Sequence, residues 1–178
     1  LDTSRGLGDV YKRQDIYIVK TNLNGGVVFQ KTYGGKFLEK GMDIVRKGNR
    51  DGYMVLGQQC KHRYDVFSCG PITKVMILDI DENGNDLDQT FLDGLKFYEF
   101  GTPMALANTS NDGYVFATNP RNGGNVWLYK WGDYEDNLNL KISPGGFGGE
   151  SIEKTLDNGF IISTGGGTVL KTDSQLSY

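Results

Sequence analysis

Val75–Phe91 reads VMILDIDENGNDLDQTF, and Ile16–Thr32 reads IYIVKTNLNGGVVFQKT. Each opens with four apolar or aromatic residues and one charged residue, passes through a polar Asn-Gly turn, and returns as a second extended stretch. Val126–Ile142, VWLYKWGDYEDNLNLKI, opens the same way, and Thr168–Thr172, TVLKT, does so a fourth time. With Lys20, Asp79, Lys130 and Lys171 as register marks, the steps are 59, 51 and 41 residues. A second marker agrees. Gly41-Met-Asp-Ile-Val precedes Gly52-Tyr-Met-Val-Leu-Gly by eleven residues, Gly101 precedes Gly113-Tyr-Val-Phe-Ala-Thr by twelve, and Gly148 precedes Gly159-Phe-Ile-Ile-Ser-Thr by eleven. Two markers recurring in one order make an internal repeat, the property that decides the fold.

Each unit resolves into four short strands. Ile16–Thr21 and Val27–Thr32 carry the β-branched and aromatic residues that suit a pleated surface. Asn24-Gly25 and Asn83-Gly84 supply the positive-φ pair expected of a tight hairpin, and Asp51-Gly52, Asp112-Gly113 and Asn158-Gly159 do the same between the third and fourth strands. Repeated four-stranded units of about 40–60 residues predict β-propeller blades. The expectation is an all-β, partial β-propeller of about three four-stranded blades plus the first strand of a fourth, with units of about 15–73, 74–124, 125–167 and 168–178. A helical solenoid is excluded because no segment sustains a 3.6-residue period. A β-sandwich is the alternative, but it needs no internal repeat.

Composition agrees. The 178 residues include 26 Gly, 4 Pro, 10 Tyr and 9 Phe, as short aromatic strands joined by many turns require. A net charge of −3 leaves no basic footprint for nucleic acid, and no apolar run approaches the ~20 residues of a membrane-spanning helix. Residues 1–14, LDTSRGLGDVYKRQ, share nothing with the repeat. Asp9–Gln14, DVYKRQ, matches an in-frame translation of a transposase adapter end used in sequencing libraries, so this stretch is read as an assembly scar outside the fold.

The succession Val19-Lys20-Thr21-Asn22 to Gly25-Gly26, then Gly41 to Asp51-Gly52-Tyr53, resembles the propeller repeats of large bacterial and archaeal secreted or envelope proteins, in the style of PQQ-like and delta-60-type repeats. The resemblance covers Asp15 to the C-terminus. It implies a propeller in a secreted or cell-envelope protein and transfers no active-site residue. Two departures stand out: Asp79 where the other units have Lys, and Trp131-Gly132-Asp133-Tyr134 in place of the Asn/Asp-rich turn.

Three blades and a strand do not close a ring, so a fragment of a larger propeller is expected, prone to self-association through its open ends. Alternating strands put the short turns at one end of the sheets and the irregular connections at the other, which is the expected functional face. There the candidate binding residues are His62, Arg63, Tyr64, Phe67, Tyr98 and Arg121, with Lys96, Glu99 and Glu150 as scattered polar neighbours. Cys60 and Cys69 can close a small loop in an oxidising compartment, or stand as two thiols in a reducing one. With His62 they offer three metal ligands at an unfamiliar spacing. Asp79 to Asp86 looks like half a calcium loop but has Thr90 at the twelfth position. The runs at 145–149 and 165–167 read as turns, since neither opens a helix. Trp127 and Trp131 are expected on one strand face, packing between blades, with Tyr129 on the other.

No catalytic residue, metal ligand set or cofactor is assigned. The expected function is a noncatalytic binding or scaffold module contacting a glycan or protein, with no nucleic acid partner. The alternative is a piece of a glycan-active or quinone-dependent propeller enzyme.

Overall fold

The computed structural model describes residues 15–35, 37–48, 50–60, 73–92, 102–119, 126–132, 141–142 and 148–177; residues 1–14 lie outside it. Every regular element described is a strand: β1 (Ile16–Thr21), β2 (Val27–Tyr33), β3 (Leu38–Arg46), β4 (Tyr53–Cys60), β5 (Thr73–Ile80), β6 (Asp86–Leu92), β7 (Thr102–Asn108), β8 (Tyr114–Asn119), β9 (Trp127–Trp131), β10 (Lys141–Ile142), β11 (Gly149–Lys154), β12 (Phe160–Thr164) and β13 (Val169–Thr172). They form four antiparallel sheets in chain order, β1–β2, β3–β4–β5–β6, β7–β8–β9–β10 and β11–β12–β13. The protein is all-β.

The sheets are out of phase with the sequence units by two strands. The expected three four-stranded groups and a single strand become sheets of two, four, four and three. The cause is long-range pairing: β4 and β5 run in unbroken register from Tyr53↔Ile80 to Cys60↔Thr73. The long connection 61–72 therefore joins two neighbouring strands of one sheet, and the chain first changes sheets after β2, at Gly34-Gly35.

Among the described residues one five-residue turn recurs six times. Its first residue donates N–H to the carbonyl of the fifth at 22–26, 81–85, 109–113, 155–159, 164–168 and 173–177. At Asn22, Asp81, Thr109 and Asp173 the first side chain also accepts the amides of the third and fifth residues, the local bonding that suits short polar side chains to turns. The fourth residue takes positive φ: Gly25, Gly84, Asp112, Asn158, Gly167 and Leu176. The two-residue positive-φ hairpin expected from the Asn-Gly and Asp-Gly pairs is thus replaced by a wider turn with one left-handed residue. In Asp112-Gly113 and Asn158-Gly159 the non-glycine residue is the left-handed one. Gly159 is glycine because a Cβ there would run into the Thr172 carbonyl on the neighbouring strand.

Among the described residues three apolar clusters lie between successive sheets. Ile16, Phe29 and Tyr33 of the first sheet meet Val55, Met76, Leu78 and Ile80 of the second. Met54, Leu56, Val75 and Ile77 meet Leu106, Tyr114, Phe116 and Tyr129 of the third. Ala105, Ala107, Val115, Ala117 and Leu128 meet Ile152, Phe160, Ile162 and Leu176. β4 and β8 are buried almost throughout, as strands covered on both faces must be. Cross-sheet contacts concentrate on the first two strands of each sheet; the Leu106 amide on β7 donates to Asp43 Oδ2 on β3 at 2.7 Å. The sheets thus form a row that converges along β3, β7 and β11.

Trp127, Tyr129 and Trp131 all belong to the cluster between the second and third sheets. This corrects the expectation that Tyr129 lies on the opposite face: strand side chains alternate with period two, so these three share a side.

Candidate functional site

Lys20, Asp79, Lys130 and Lys171 occupy equivalent places on β1, β5, β9 and β13, so the gaps between sheets can be compared position by position. In the first gap the Lys20 ammonium donates to the Glu82 carboxylate and, at 2.9 Å, to the Glu82 carbonyl. That carboxylate also accepts the Tyr53 hydroxyl at 3.3 Å and the Gly52 amide at 3.4 Å, and lies 3.5 Å from the Arg46 guanidinium. The Lys20 hydrogen bond holds Glu82 below the usual carboxylate range, while Glu82 raises Lys20. Opposite Lys20 in register stands Phe29, whose ring abuts Gly84. The buried Tyr33 hydroxyl donates to the Gly84 carbonyl at 2.6 Å. Aromatic rings fill this gap.

The second gap is built from different residues at the same positions. Asp79 replaces the lysine, and Asp88, opposite Asp79 as Phe29 is opposite Lys20, replaces the phenylalanine. Lys47 opens the β3–β4 turn where Thr109 and Thr155 open theirs. Lys47 is buried and ion-paired with Asp79, so the strand position keeps an ion pair with its charge reversed, the partner now coming from the β3–β4 turn. A short carboxylate where a ring would stand leaves a cavity of about 260 Å³. Met54 and Ile77 form its floor, Tyr114 and Trp131 its aromatic wall, and Asp79, Asp88, Asp112 and Arg50 its polar lining. The Tyr114 and Trp131 ring centroids are 6.1 Å apart with planes inclined 31°. Burial pushes the Tyr114 hydroxyl pKa up against the opposing effect of Arg50, so it stays protonated. The cavity continues into a shallower recess of about 430 Å³ bordered by Arg50, Asn111, Asp112 and Gly132. Chemically the site accepts hydrogen bonds through carboxylates, donates them through Arg50, and presents aromatic faces.

Of the residues singled out by sequence, His62, Arg63, Tyr64, Phe67, Cys69, Tyr98 and Arg121 lie outside the described residues, as do Lys96 and Glu99. Glu150 is an exposed residue of β11. Cys60 ends β4, is 3% exposed and is disulfide-bonded; the chain holds two cysteines. Asp81, from the calcium-like string, spends its carboxylate on its own turn, accepting Asn83 N and Asn85 N on Oδ1 and Asn85 Nδ2 on Oδ2. Among the described residues no three His, Cys, Asp or Glu side chains gather as a metal site. Sequence reasoning missed the cavity because it lies at the short-turn end. Its signal was present in the departures at Asp79 and Trp131-Gly132, which line it together.

No protein-family model matches the chain, and no curated protein does. Among solved structures, hydrazine synthase of Kuenenia stuttgartiensis superposes with a TM-score of 0.60 at 16% identity, over 99% of this chain and 55% of that one. The chain thus spans about half the length of that structure, and the likeness concerns the fold alone.

Proposed function

We propose that the chain is part of a β-propeller serving as a noncatalytic binding or scaffold module of a secreted or cell-envelope bacterial protein. Its irregular loop end would contact a glycan or a protein. The observation that carries this reading is the row of like antiparallel sheets converging along β3, β7 and β11, the packing that radial blades adopt. The disulfide at buried Cys60 supports an oxidising compartment. Among the described residues the outer face of the first sheet is uncovered. β1–β2 matches only the third and fourth strands of the second sheet, and Tyr17, Val19 and Val28 of those strands are exposed. Further blades, or a second copy, would cover that face.

The test is a glycan array read with the parent chain and with His62, Arg63, Tyr64 and Phe67 replaced together by alanine. Binding by the parent and its loss in the variant is expected; equal binding by both would refute the loop-face assignment. A second reading, a piece of a propeller enzyme whose site needs more blades, draws on the likeness to part of a larger enzyme chain. Turnover of a glycan or a quinone-coupled substrate by the full-length gene product would favour it.

A further inference from the structure

We propose that the cavity between the second and third sheets, at the short-turn end of the molecule, binds a single saccharide ring. The inference stands apart from the loop face, which lies at the other end of the strands, and holds whether or not the row of sheets closes into a ring.

Three observations converge. First, the gap is a built exception: the first gap is plugged by Phe29 against Gly84, and here Asp88 takes the place of that ring. Asp88 is exposed and accepts the Thr90 hydroxyl at 2.8 Å; a short carboxylate in that place gives up the burial a ring would supply and leaves the gap open to solvent. Second, the polar groups are of both kinds. Asp79 is committed to buried Lys47; Asp88, whose Oδ2 already accepts the Thr90 hydroxyl, and Asp112 offer acceptors, and Arg50 offers a donor. Two fixed positive charges, Lys47 and Arg50, weigh against a cationic ligand, and the carboxylates weigh against an anion. A neutral ring bearing hydroxyls uses donor and acceptor together. Third, Trp131 and Tyr114 offer aromatic surface for the C–H face of such a ring. A volume of about 260 Å³ suits one ring rather than an oligomer. The adjoining recess past Asn111 and Gly132 leaves room for the next residue of a chain.

The experiment is an ¹⁵N–¹H correlation titration of the whole chain with the methyl glycosides of glucose, galactose and N-acetylglucosamine. Saturable shifts are expected at the Gly113 and Gly132 amides and the Trp131 indole, with a dissociation constant on the order of 1 mM for so small a ligand. Asp112→Asn should weaken binding by about fivefold or more, and Asp88→Phe should abolish it by restoring the plug. The alanine variant of the 61–72 connection should retain these shifts, which separates failure here from failure of the loop face. Absence of saturable shifts with all three glycosides overturns the proposal. So do undiminished shifts in Asp88→Phe with native-like spectra, or shifts elicited by n-butylammonium chloride while every glycoside is silent.

Discussion

Gly25 and Gly84 occupy the same position of the same turn, at φ 78° and 73°, yet alanine should cost very different amounts at the two. A Cβ on Gly25 meets nothing within 4 Å, whereas one on Gly84 comes within 2.7 Å of Phe29 Cε2 and 2.9 Å of the Tyr33 hydroxyl. Gly25→Ala carries only the left-handed backbone penalty, about 1 kcal/mol. Gly84→Ala carries that and an overpacking cost of about 1–3 kcal/mol, because the Phe29 ring is buried and the Tyr33–Gly84 hydrogen bond must yield. The expected difference is about 1–3 kcal/mol. Urea unfolding at equal protein concentration, followed by far-ultraviolet circular dichroism, reads it as a shift in midpoint at constant slope. Phe29→Ala in the Gly84→Ala background should cost less than in the parent, with a coupling of about 1 kcal/mol. Equal midpoints for the two glycine variants would refute the claim that Phe29 plugs the first gap against Gly84.

Asp88→Phe should place an aromatic ring over Met54 and Ile77 and raise stability by about 1–2 kcal/mol, seen as a higher urea midpoint; a lower midpoint would show that the second gap does not accept the first gap's plug. The exposed Asp157 carboxylate is held below the ordinary aspartate range by hydrogen bonds from Lys171, Thr155 and the Gly159 amide. Its folded pKa lies below the unfolded value of about 3.9, so its contribution is present above that pH and is lost as pH falls through the folded value. Asp157→Asn should therefore unfold more easily than the parent at pH 6 and converge with it in strong acid, which midpoints across pH would show. Reduction with dithiothreitol should lower stability by about 2–3 kcal/mol by releasing the loop that begins at Cys60, and an unchanged midpoint would argue that the bond does not constrain the unfolded chain.

The strands were legible where local chemistry dictates them. Ile16–Thr21 is found as read, and Val27–Thr32 extends by one residue to Tyr33, because alternation and polar turn residues act within a few positions of one another. The partition into sheets was not legible. Whether β4 pairs with β5 across the long 61–72 connection depends on register between distant segments, which no window of sequence contains. The candidate site followed the same rule: Asp79 was visible as an exception to the repeat, but the matching exception at Asp88 appears only once Asp79↔Asp88 and Lys20↔Phe29 are seen as equivalent pairs. The Trp127–Tyr129–Trp131 face was a simpler miss, since period-two alternation by itself puts all three on one side.

Sequence alone determined the β class and where the chain turns, since side-chain branching, burial period and Asx or Thr bonding to nearby amides are local forces. Tertiary structure alone decided which strands share a sheet, which faces meet, and that one gap is filled by Phe29 and Tyr33 while the next stays open over Met54 and Ile77. Packing between sheets is a contest for shared volume among residues far apart in the chain, and a single Phe-to-Asp exchange acquires meaning only when the opposing face is in place.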